Sequence, residues 1–373
     1  MRIVYAYTGN NPYDRFFLGA LSQEHDVCLL TFSRRPREVP TGVPIVRIPD
    51  LGWPVAHRDL DKLRIALAQM PRALAFKRYV ERMSPDVLIG NYISTYGLYS
   101  ALSGWHPFAL FAWGSDIVQE PQISPFHRWL ARYVVNGADL VLVDSDIQEN
   151  AALQLGAKSG SILKLPWFNP SEYDNVIKDS GFREMLGWKE KTVVVCTRMH
   201  EKRYRIDTFL RAASLVLKEN QNVRFLVCGI GSQTHRLKAI AKDLDIGHAV
   251  YFVGFLPRRQ LVGVVKDCDI YVSTSETDGS SASLLEAMTA GLPCLVTDIP
   301  GNREWIENAK NGLLFRVGDH EALASLILRV STDSNLRVSL GERAVSSIKL
   351  KVNWQRDFAG LLRKLTAMSK ADV

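Results

Sequence analysis

An acidic loop followed by small residues and a helix-like stretch has the composition of a site for an anionic ligand. The loop carries Glu276 and Asp278, and Gly279 after them lets the backbone approach a ligand closely. Ser280 and Ser281 are of a type that caps helices, so we expect a helix to begin there. The N–H groups at the start of a helix, together with the positive end of its dipole, bind phosphates and other anions. The sequence therefore predicts an anion site at this turn.

The residues of the predicted helix extend this site. The N–H groups near Ala282, Ser283 and Leu284 would face the anion, and Glu286 follows about one turn later. From there its carboxylate could reach past a diphosphate to the hydroxyls of a ribose. Asp278 stands at the loop apex, where it could accept hydrogen bonds from the hydroxyls of a sugar. The alternative is that the acids of the loop are merely solvated.

This segment resembles the E-x7-E signature of the retaining glycosyltransferases of family 4, which have the GT-B fold. The similarity continues into Ala287-Met288, then Gly291-Leu292-Pro293, and on to Gly301-Asn302-Arg303-Glu304. Three further motifs follow the first three predicted strands of the second half in the family's order: Arg198 with Lys202-Arg203, Gly229-Ile230-Gly231, and Phe252-Val253-Gly254-Phe255. The resemblance spans the second half of the chain and, more weakly, the first.

The resemblance implies that Glu286 holds the ribose of a nucleotide-sugar donor and that Asp278, where relatives have Glu, contacts the donor sugar. Glu276 is a nearby candidate for the same contact. Val253-Gly254-Phe255 resembles the family's nucleobase pocket, although an ordinary strand end is an equal alternative for Val253 and Phe255. The residues implied in donor binding are Gly9, Gly229, Val253, Gly254, Phe255, Glu276, Gly279, Ser280, Ser281, Ser283, Leu284 and Glu286.

The resemblance also implies a pair of cations on the diphosphate, an Arg and a Lys in the loop after the first strand of the second domain. Arg198 matches the Arg. The closest alignment places Tyr204 at the Lys position, with Lys202 and Arg203 just before it, and Arg203 is favoured because a guanidinium grips a phosphate bidentately. The alternative for this pair is a solvated run of charges. The catalytic residues implied are Arg198, Asp278, and Lys202 or Arg203.

The first half matches the family less closely. Gly9 is the only glycine of Thr8-Gly9-Asn10-Asn11-Pro12, a loop that is glycine-rich in relatives. Trp113 stands where many relatives have a catalytic His, so we expect it to stack on a sugar or to lie in the core. Asp116 could bind hydroxyls. Asn91 with Tyr92, and Tyr96 with Gly97, are expected to face the acceptor.

The elements that position these residues alternate short β-branched runs with amphipathic stretches, which is typical of βαβ units and parallel sheets. The chain length of 373 residues suits two domains. We expect an α/β fold of the GT-B type, with two doubly wound Rossmann-like domains that face each other across a cleft. The predicted parts are an acceptor-binding domain over 1–170, a donor-binding domain over 171–350, and a helix over 351–373 that packs back on the first domain.

Composition excludes several classes of protein. No stretch approaches the roughly 18 apolar residues that a membrane-spanning helix needs, and no long low-complexity tract indicates disorder. The net charge is +7, but no basic run with interleaved aromatic residues suggests nucleic-acid binding. The five cysteines lack C-x-x-C spacing, which favours buried free thiols in a reducing cytoplasm. The scattered histidines and the absence of a metal-binding motif favour a reaction without a metal or other cofactor.

The sequence therefore predicts a cytoplasmic, retaining, metal-independent glycosyltransferase that moves a sugar from a nucleoside diphosphate, with UDP favoured over GDP, to an acceptor hydroxyl. The acceptor would be a glycan, a lipid-linked molecule or a small molecule. A nucleotide-sugar epimerase or hydrolase, and a non-catalytic binding module, remain alternatives; a dehydrogenase is a distant one. Trp53 and the basic residues between Arg58 and Arg82 could also contact the inner face of an anionic membrane, although a solvated helix surface is favoured.

Overall fold

The computed structural model describes residues 1–10, 12–49, 62–166, 168–173, 176–178 and 181–371. The chain divides into two compact units. Unit 1 comprises residues 1–167 and 355–373, and unit 2 comprises residues 168–354. Trp53 and Arg58, which the sequence suggested for membrane contact, lie outside the described residues. Within the described part of the chain, no helix has an apolar stretch long enough to cross a bilayer.

Unit 1 contains a seven-stranded parallel sheet in the order β3-β2-β1-β4-β5-β6-β7. Its strands are β1 (Arg2–Ala6), β2 (Asp26–Thr31), β3 (Ile45–Arg47), β4 (Val87–Asn91), β5 (Phe108–Phe111), β6 (Leu140–Val143) and β7 (Ile162–Lys164). Its helices are α1 (Pro12–Leu21), α2 (Lys62–Met83), α3 (Leu98–Ser103), α4 (Glu120–Ile123), α5 (Pro125–Asn136) and α6 (Asp146–Leu155). The helix α2 continues through Pro71, which is exposed, so water can satisfy the carbonyl that lacks a helical partner.

Unit 2 contains a six-stranded parallel sheet in the order β10-β9-β8-β11-β12-β13. Its strands are β8 (Thr192–Cys196), β9 (Val223–Cys228), β10 (Val250–Gly254), β11 (Ile270–Ser273), β12 (Cys294–Thr297) and β13 (Leu313–Phe315). Its helices are α7 (Gly181–Met185), α8 (Ile206–Glu219), α9 (Thr234–Asp243), α10 (Arg258–Lys266), α11 (Ala282–Thr289), α12 (Pro300–Arg303), α13 (His320–Thr332) and α14 (Ser334–Lys351). The last helix, α15 (Trp354–Ala371), packs in unit 1, where Phe358 contacts Phe17.

Both sheets are buried on both faces, as expected for doubly wound domains. In β8, Val194 and Cys196 enter one hydrophobic core, while Val193 and Val195 enter the core on the opposite face. All five cysteines are free thiols and four of them are buried, whereas Cys28 is half-buried. The prediction of two Rossmann-like α/β domains is confirmed.

Each sheet reverses its strand order once, between β1 and β4 in unit 1 and between β8 and β11 in unit 2. Ligands of open α/β sheets bind beyond the carboxyl ends of the strands at such a switch point. Two π-helical turns lie at this end of the first sheet: residues 92–97 directly follow β4, and residues 115–119 begin four residues after the end of β5. In both units, candidate residues lie just beyond the carboxyl ends of strands: Tyr92 and Trp113 in unit 1, and Arg198 and Asp278 in unit 2.

Two helical glycines, Gly341 of α14 and Gly360 of α15, differ in how closely neighbouring atoms approach them. A Cβ built on Gly341 would lie 2.1 Å from the carbonyl oxygen of Gly291, whereas on Gly360 it would meet only the flexible end of Arg363 at 3.8 Å. We expect Gly341→Ala to lower the free energy of unfolding by about 1–3 kcal/mol through overpacking. Gly360→Ala should raise it by about 0.5–1 kcal/mol because alanine favours a helix. Urea denaturation checks both, and equal effects of the two substitutions would contradict the close packing.

Candidate functional site

Arg198 joins the loop after β8 to the start of α11. Its Nη2 atom lies 2.5 Å from Oδ2 of Asp278, and its Nη1 donates to Oγ of Ser281 at 2.5 Å and to Oγ of Ser283 at 2.6 Å. The side chain of Arg198 is only 8% exposed. The structure therefore brings together four of the residues that the sequence predicted for one anion site.

The surroundings of Arg198 keep it charged. Burial alone would lower the pKa of the guanidinium, but Asp278 outweighs that penalty, so the pKa lies above its ordinary value. The ring of Tyr204 adds a cation–π contact, with its centroid 4.2 Å from Cζ of Arg198. The Nε atom of Arg198 is buried and has no hydrogen-bond partner among the described residues. A permanent positive charge with one unsatisfied donor suits an anionic ligand.

The start of α11 departs from the expected capping pattern. Ser281 is the N-cap residue, but its hydroxyl makes no cap hydrogen bond and instead accepts from Arg198. Ser280 accepts from Nε1 of Trp305 at 3.2 Å. The N–H of Leu284 donates to the carbonyl of Ser281 at 3.0 Å, and its side chain is fully buried in the core. Leu284 therefore does not offer a free N–H as expected, and the anion-facing groups of this turn are those nearer Ala282 and Ser283.

Glu286 is held in a buried cluster that the sequence did not reveal. Its Oε1 atom accepts from the hydroxyl of Tyr173 at 2.8 Å, and Nε of Arg258 lies 3.6 Å from the same oxygen. Nη2 of Arg258 also donates to the Tyr173 hydroxyl at 2.7 Å. Burial and the neighbouring carboxylate raise the pKa of Tyr173 above its ordinary value, so it remains a hydrogen-bond donor to Glu286.

Sequence patterns offered little signal for these two partners. Tyr173 lies in an aperiodic stretch between the units, and only the three-dimensional fold brings it to Glu286. Arg258 opens α10, three residues after Phe255 of the nucleobase motif. Its position three residues after this motif was the signal that the sequence offered.

The structure distinguishes between the residues that could supply the second cation expected on the diphosphate. Tyr204, which occupies the Lys position in the alignment, is buried beneath Arg198. Arg203 places its Cζ 4.9 Å from the centroid of the same ring, so two guanidinium groups share one aromatic ring. Lys202 lines a separate cavity of about 200 Å³ together with Glu276, whose carboxylate lies 3.8 Å from Arg205. This geometry favours Arg203 over Lys202, and Asp278 over Glu276, as neighbours of Arg198.

The predicted glycines shape the loops around Arg198. A Cβ on Gly229 would lie 2.8 Å from the carbonyl oxygen of Arg198, and the positive φ of Gly229 excludes most other residues. The N–H of Gly229 donates to the carbonyl of Gly254 at 2.7 Å, which ties the two motif loops together. Phe255, next in the chain, is 71% exposed, whereas Val253 is partly buried against the core. Gly279 precedes the α11 turn, and a Cβ on Gly301 would collide with its carbonyl at 2.5 Å.

In unit 1 the structure corrects two predicted acceptor contacts. Asp116 is fully buried, and its oxygens accept from the N–H groups of Ile93 at 3.0 Å and Trp113 at 2.9 Å. Asn91 is also fully buried; its amide donates to the carbonyl of Ala6 and accepts from Nε1 of Trp113 at 3.2 Å. Both side chains make their hydrogen bonds within the protein and position Trp113, so they do not face a ligand.

Trp113 itself remains partly exposed and stacks on Tyr7, with ring centroids 5.6 Å apart and an interplanar angle of 8°. Tyr92 is half-buried and donates to Oε1 of Glu120 at 2.7 Å. Tyr96 is buried, and its hydroxyl accepts from the N–H of Phe32, so it does not face an acceptor as expected. Trp113 and Tyr92 therefore remain as the accessible candidates.

Gly97 and Gly9, which the sequence also predicted near the site of unit 1, have roles in the packing and the loop conformation. A Cβ on Gly97 would lie 2.8 Å from the side chain of Leu110, so this glycine packs against β5. Gly9 has a positive φ, and its carbonyl accepts from the N–H groups of Arg37 and Glu38. Within the described residues, no group of three or more His, Cys, Asp or Glu side chains is placed to hold a metal ion.

Comparison with known families gives matches in both halves of the chain. Residues 181–346 match the model of glycosyl transferases group 1, and residues 16–145 match the model of glycosyl transferase 4-like proteins. The first match contains all of the unit 2 candidates from Arg198 to Glu286. The second contains Asn91 and Trp113.

Curated relatives are similar over part of their length. The chain is 30% identical over 191 residues to a poly(ribitol-phosphate) alpha-N-acetylglucosaminyltransferase of Staphylococcus aureus, covering 50% of this chain and 38% of that protein. It is 28% identical over 253 residues to a D-inositol 3-phosphate glycosyltransferase of Corynebacterium jeikeium, covering 64% of this chain and 59% of the relative. The aligned regions thus span less than two thirds of these relatives.

The fold is also similar to that of solved structures. The Anabaena protein HepE, crystallised in complex with UDP, superposes with a TM-score of 0.79 at 17% identity, covering 98% of this chain and all of HepE. At this identity the similarity concerns the fold alone, which is GT-B, as the sequence predicted.

The burial of Asp116 has a consequence for stability. Burial raises its pKa from about 3.8 to about 6, so the folded protein binds this proton more tightly than the unfolded chain. The free energy of unfolding should therefore fall as the pH rises through this range, by about 2 kcal/mol relative to Asp116→Asn between pH 4 and pH 7. Urea denaturation of both proteins across that range measures the difference, and a constant difference would contradict the assignment.

Proposed function

We propose that this chain, whose residues 181–346 match the group 1 glycosyl transferases and whose fold is GT-B, transfers a sugar from a UDP-sugar to the hydroxyl of an acceptor. Unit 2 binds the donor and unit 1 binds the acceptor. The observation that carries this proposal is the buried Arg198 at the start of α11, beside Asp278 and Ser283.

We propose that Arg198 and the N–H groups of the first turn of α11 bind the diphosphate of the donor. A guanidinium and a helix start each favour an anion, and charge accumulates on the diphosphate as the glycosidic bond breaks. Arg203, which shares the Tyr204 ring with Arg198, supplies the second cation. These groups neutralise the leaving diphosphate without a metal ion.

Asp278 then changes partners when the donor binds. The carboxylate of Asp278 pairs with Arg198 in the structure, and a bound diphosphate would take over that role. The carboxylate of Asp278 becomes available to accept hydrogen bonds from the hydroxyls of the donor sugar. Glu286, oriented by Tyr173 and Arg258, binds the ribose hydroxyls.

The reaction we propose proceeds with retention of configuration. The acceptor oxygen bonds to the anomeric carbon on the face from which the diphosphate departs, and the glycosidic bond to the diphosphate breaks. A leaving phosphate oxygen takes the proton of the acceptor hydroxyl. No carboxylate of the enzyme is then required as a nucleophile.

Two outcomes of product analysis would favour other functions. Release of free sugar, or a changed donor sugar in the absence of acceptor, would indicate a hydrolase or an epimerase. Donor binding without turnover on any acceptor extract would indicate a binding module.

Thermal unfolding with a panel of UDP-, GDP- and ADP-sugars tests the donor site, because a ligand that binds only the folded state raises Tm. We expect UDP-sugars to give the largest increase. Glu286→Gln removes the charge that holds the ribose and should abolish most of that increase. Glu219→Gln, an exposed glutamate at the end of α8, is the matched control and should preserve it. An unchanged response of Glu286→Gln would show that the donor binds elsewhere.

A further inference from the structure

A second cavity lies within unit 1, and its lining contains none of the residues named above for the reaction. It has a volume of about 370 Å³ and lies between α5, α6 and the segment that joins β5 to α5. That volume falls within the roughly 300–1,000 Å³ of small-molecule pockets. Its floor is apolar and formed by the buried Ile117 and Leu155, with the half-buried Ile147 beside them.

The rim of this cavity is positively charged. Arg128 and Arg132 stand four residues apart on α5, so both project from one face of the helix. Among the described residues, neither guanidinium has an ion-pair or hydrogen-bond partner. No acidic side chain is among the described residues that line the cavity. Two unpaired guanidinium groups a helical turn apart suit a phosphate or carboxylate, which each can bind bidentately.

Three side-chain amides complete the rim. Asn150 and Gln154, four residues apart on α6, line the cavity, and so does Gln122 of α4. An amide both donates and accepts hydrogen bonds, so it can pair with hydroxyl groups in either role. Hydroxyl-pairing groups together with cations and an apolar floor match a sugar that carries an acidic group.

We propose that this cavity binds an acidic saccharide, so that the acceptor of the enzyme is an anionic glycan. The inference rests on the proposed function, because it assigns a chemical class to the acceptor. The cavity begins at Ile117 and Val118, within the π-helical turn beyond β5. Trp113, the accessible candidate for acceptor stacking, lies four residues earlier in the same loop. A glycan held at Arg128 and Arg132 therefore extends the acceptor site of unit 1.

Calorimetric titration of the full chain with trigalacturonate and with glucose 6-phosphate tests this proposal, and the two probes separate carboxylate from phosphate recognition. We expect at least one of them to bind the wild type, and to bind Arg128→Gln/Arg132→Gln at least tenfold more weakly. Arg78→Gln/Arg82→Gln is the matched control, because it removes two exposed arginines with the same spacing on α2. This control should bind like the wild type.

Three results would overturn the proposal: binding of neither probe, equal binding by both double variants, or equally tight binding of neutral maltotriose. Sedimentation with phosphatidylglycerol vesicles that depends on Arg128 and Arg132, without saccharide binding, would assign the surface to a membrane instead. Titration of UDP into the same samples tests the donor site separately from the saccharide site. If the protein binds UDP but no saccharide, only the proposal for the cavity is wrong. If it binds neither, the proposed function is contradicted as well.

Discussion

The ion pair between Arg198 and Asp278 is the interaction around which unit 2 organises its candidate site. A buried guanidinium is costly unless it is paired and hydrogen-bonded, and here one carboxylate and two serine hydroxyls meet that requirement. The same requirement explains why the cap residue Ser281 gives its hydroxyl to Arg198 instead of to the backbone of α11. The result is a positive charge held in place at the positive end of a helix.

The doubly wound topology delivers these groups to one place. Arg198 follows β8 and Asp278 follows β11, and these strands are neighbours although their paired positions Val195 and Tyr271 lie 76 positions apart in the sequence. Parallel neighbours end at the same edge, so two loops that are distant in sequence meet there. In unit 1 the carboxyl ends of the neighbouring strands β1, β4 and β5 likewise bring together Tyr7, Asn91 and Trp113. Both units thus bring residues together at the carboxyl ends of neighbouring parallel strands, but with different side chains.

Much of this arrangement could be predicted from the sequence, because it depends on local signals. The alternation of strands and helices gave both domains, and glycine and serine beside Glu286 marked the start of α11. What could not be predicted depends on contacts between distant segments. Tyr173 reaches Glu286 from an aperiodic stretch, and Asp116 and Asn91, which looked like exposed polar residues, are buried because they bind backbone and indole groups of neighbouring loops. Residue type suggested chemistry at these positions, but only burial and hydrogen-bond partners distinguish a binding group from a structural one.

Calorimetric titration of UDP into the wild type and into Arg198→Gln tests the central claim most directly. Glutamine retains an amide that can bond to Ser281 and Ser283 but removes the charge, and Arg211→Gln, at an exposed position on α8, controls for the loss of a positive charge. Loss of a charge-assisted contact worth about 1.5–3 kcal/mol should weaken binding by roughly ten- to a hundredfold in Arg198→Gln and leave Arg211→Gln unchanged. The same Kd for all three proteins would contradict the assignment of Arg198 to the diphosphate.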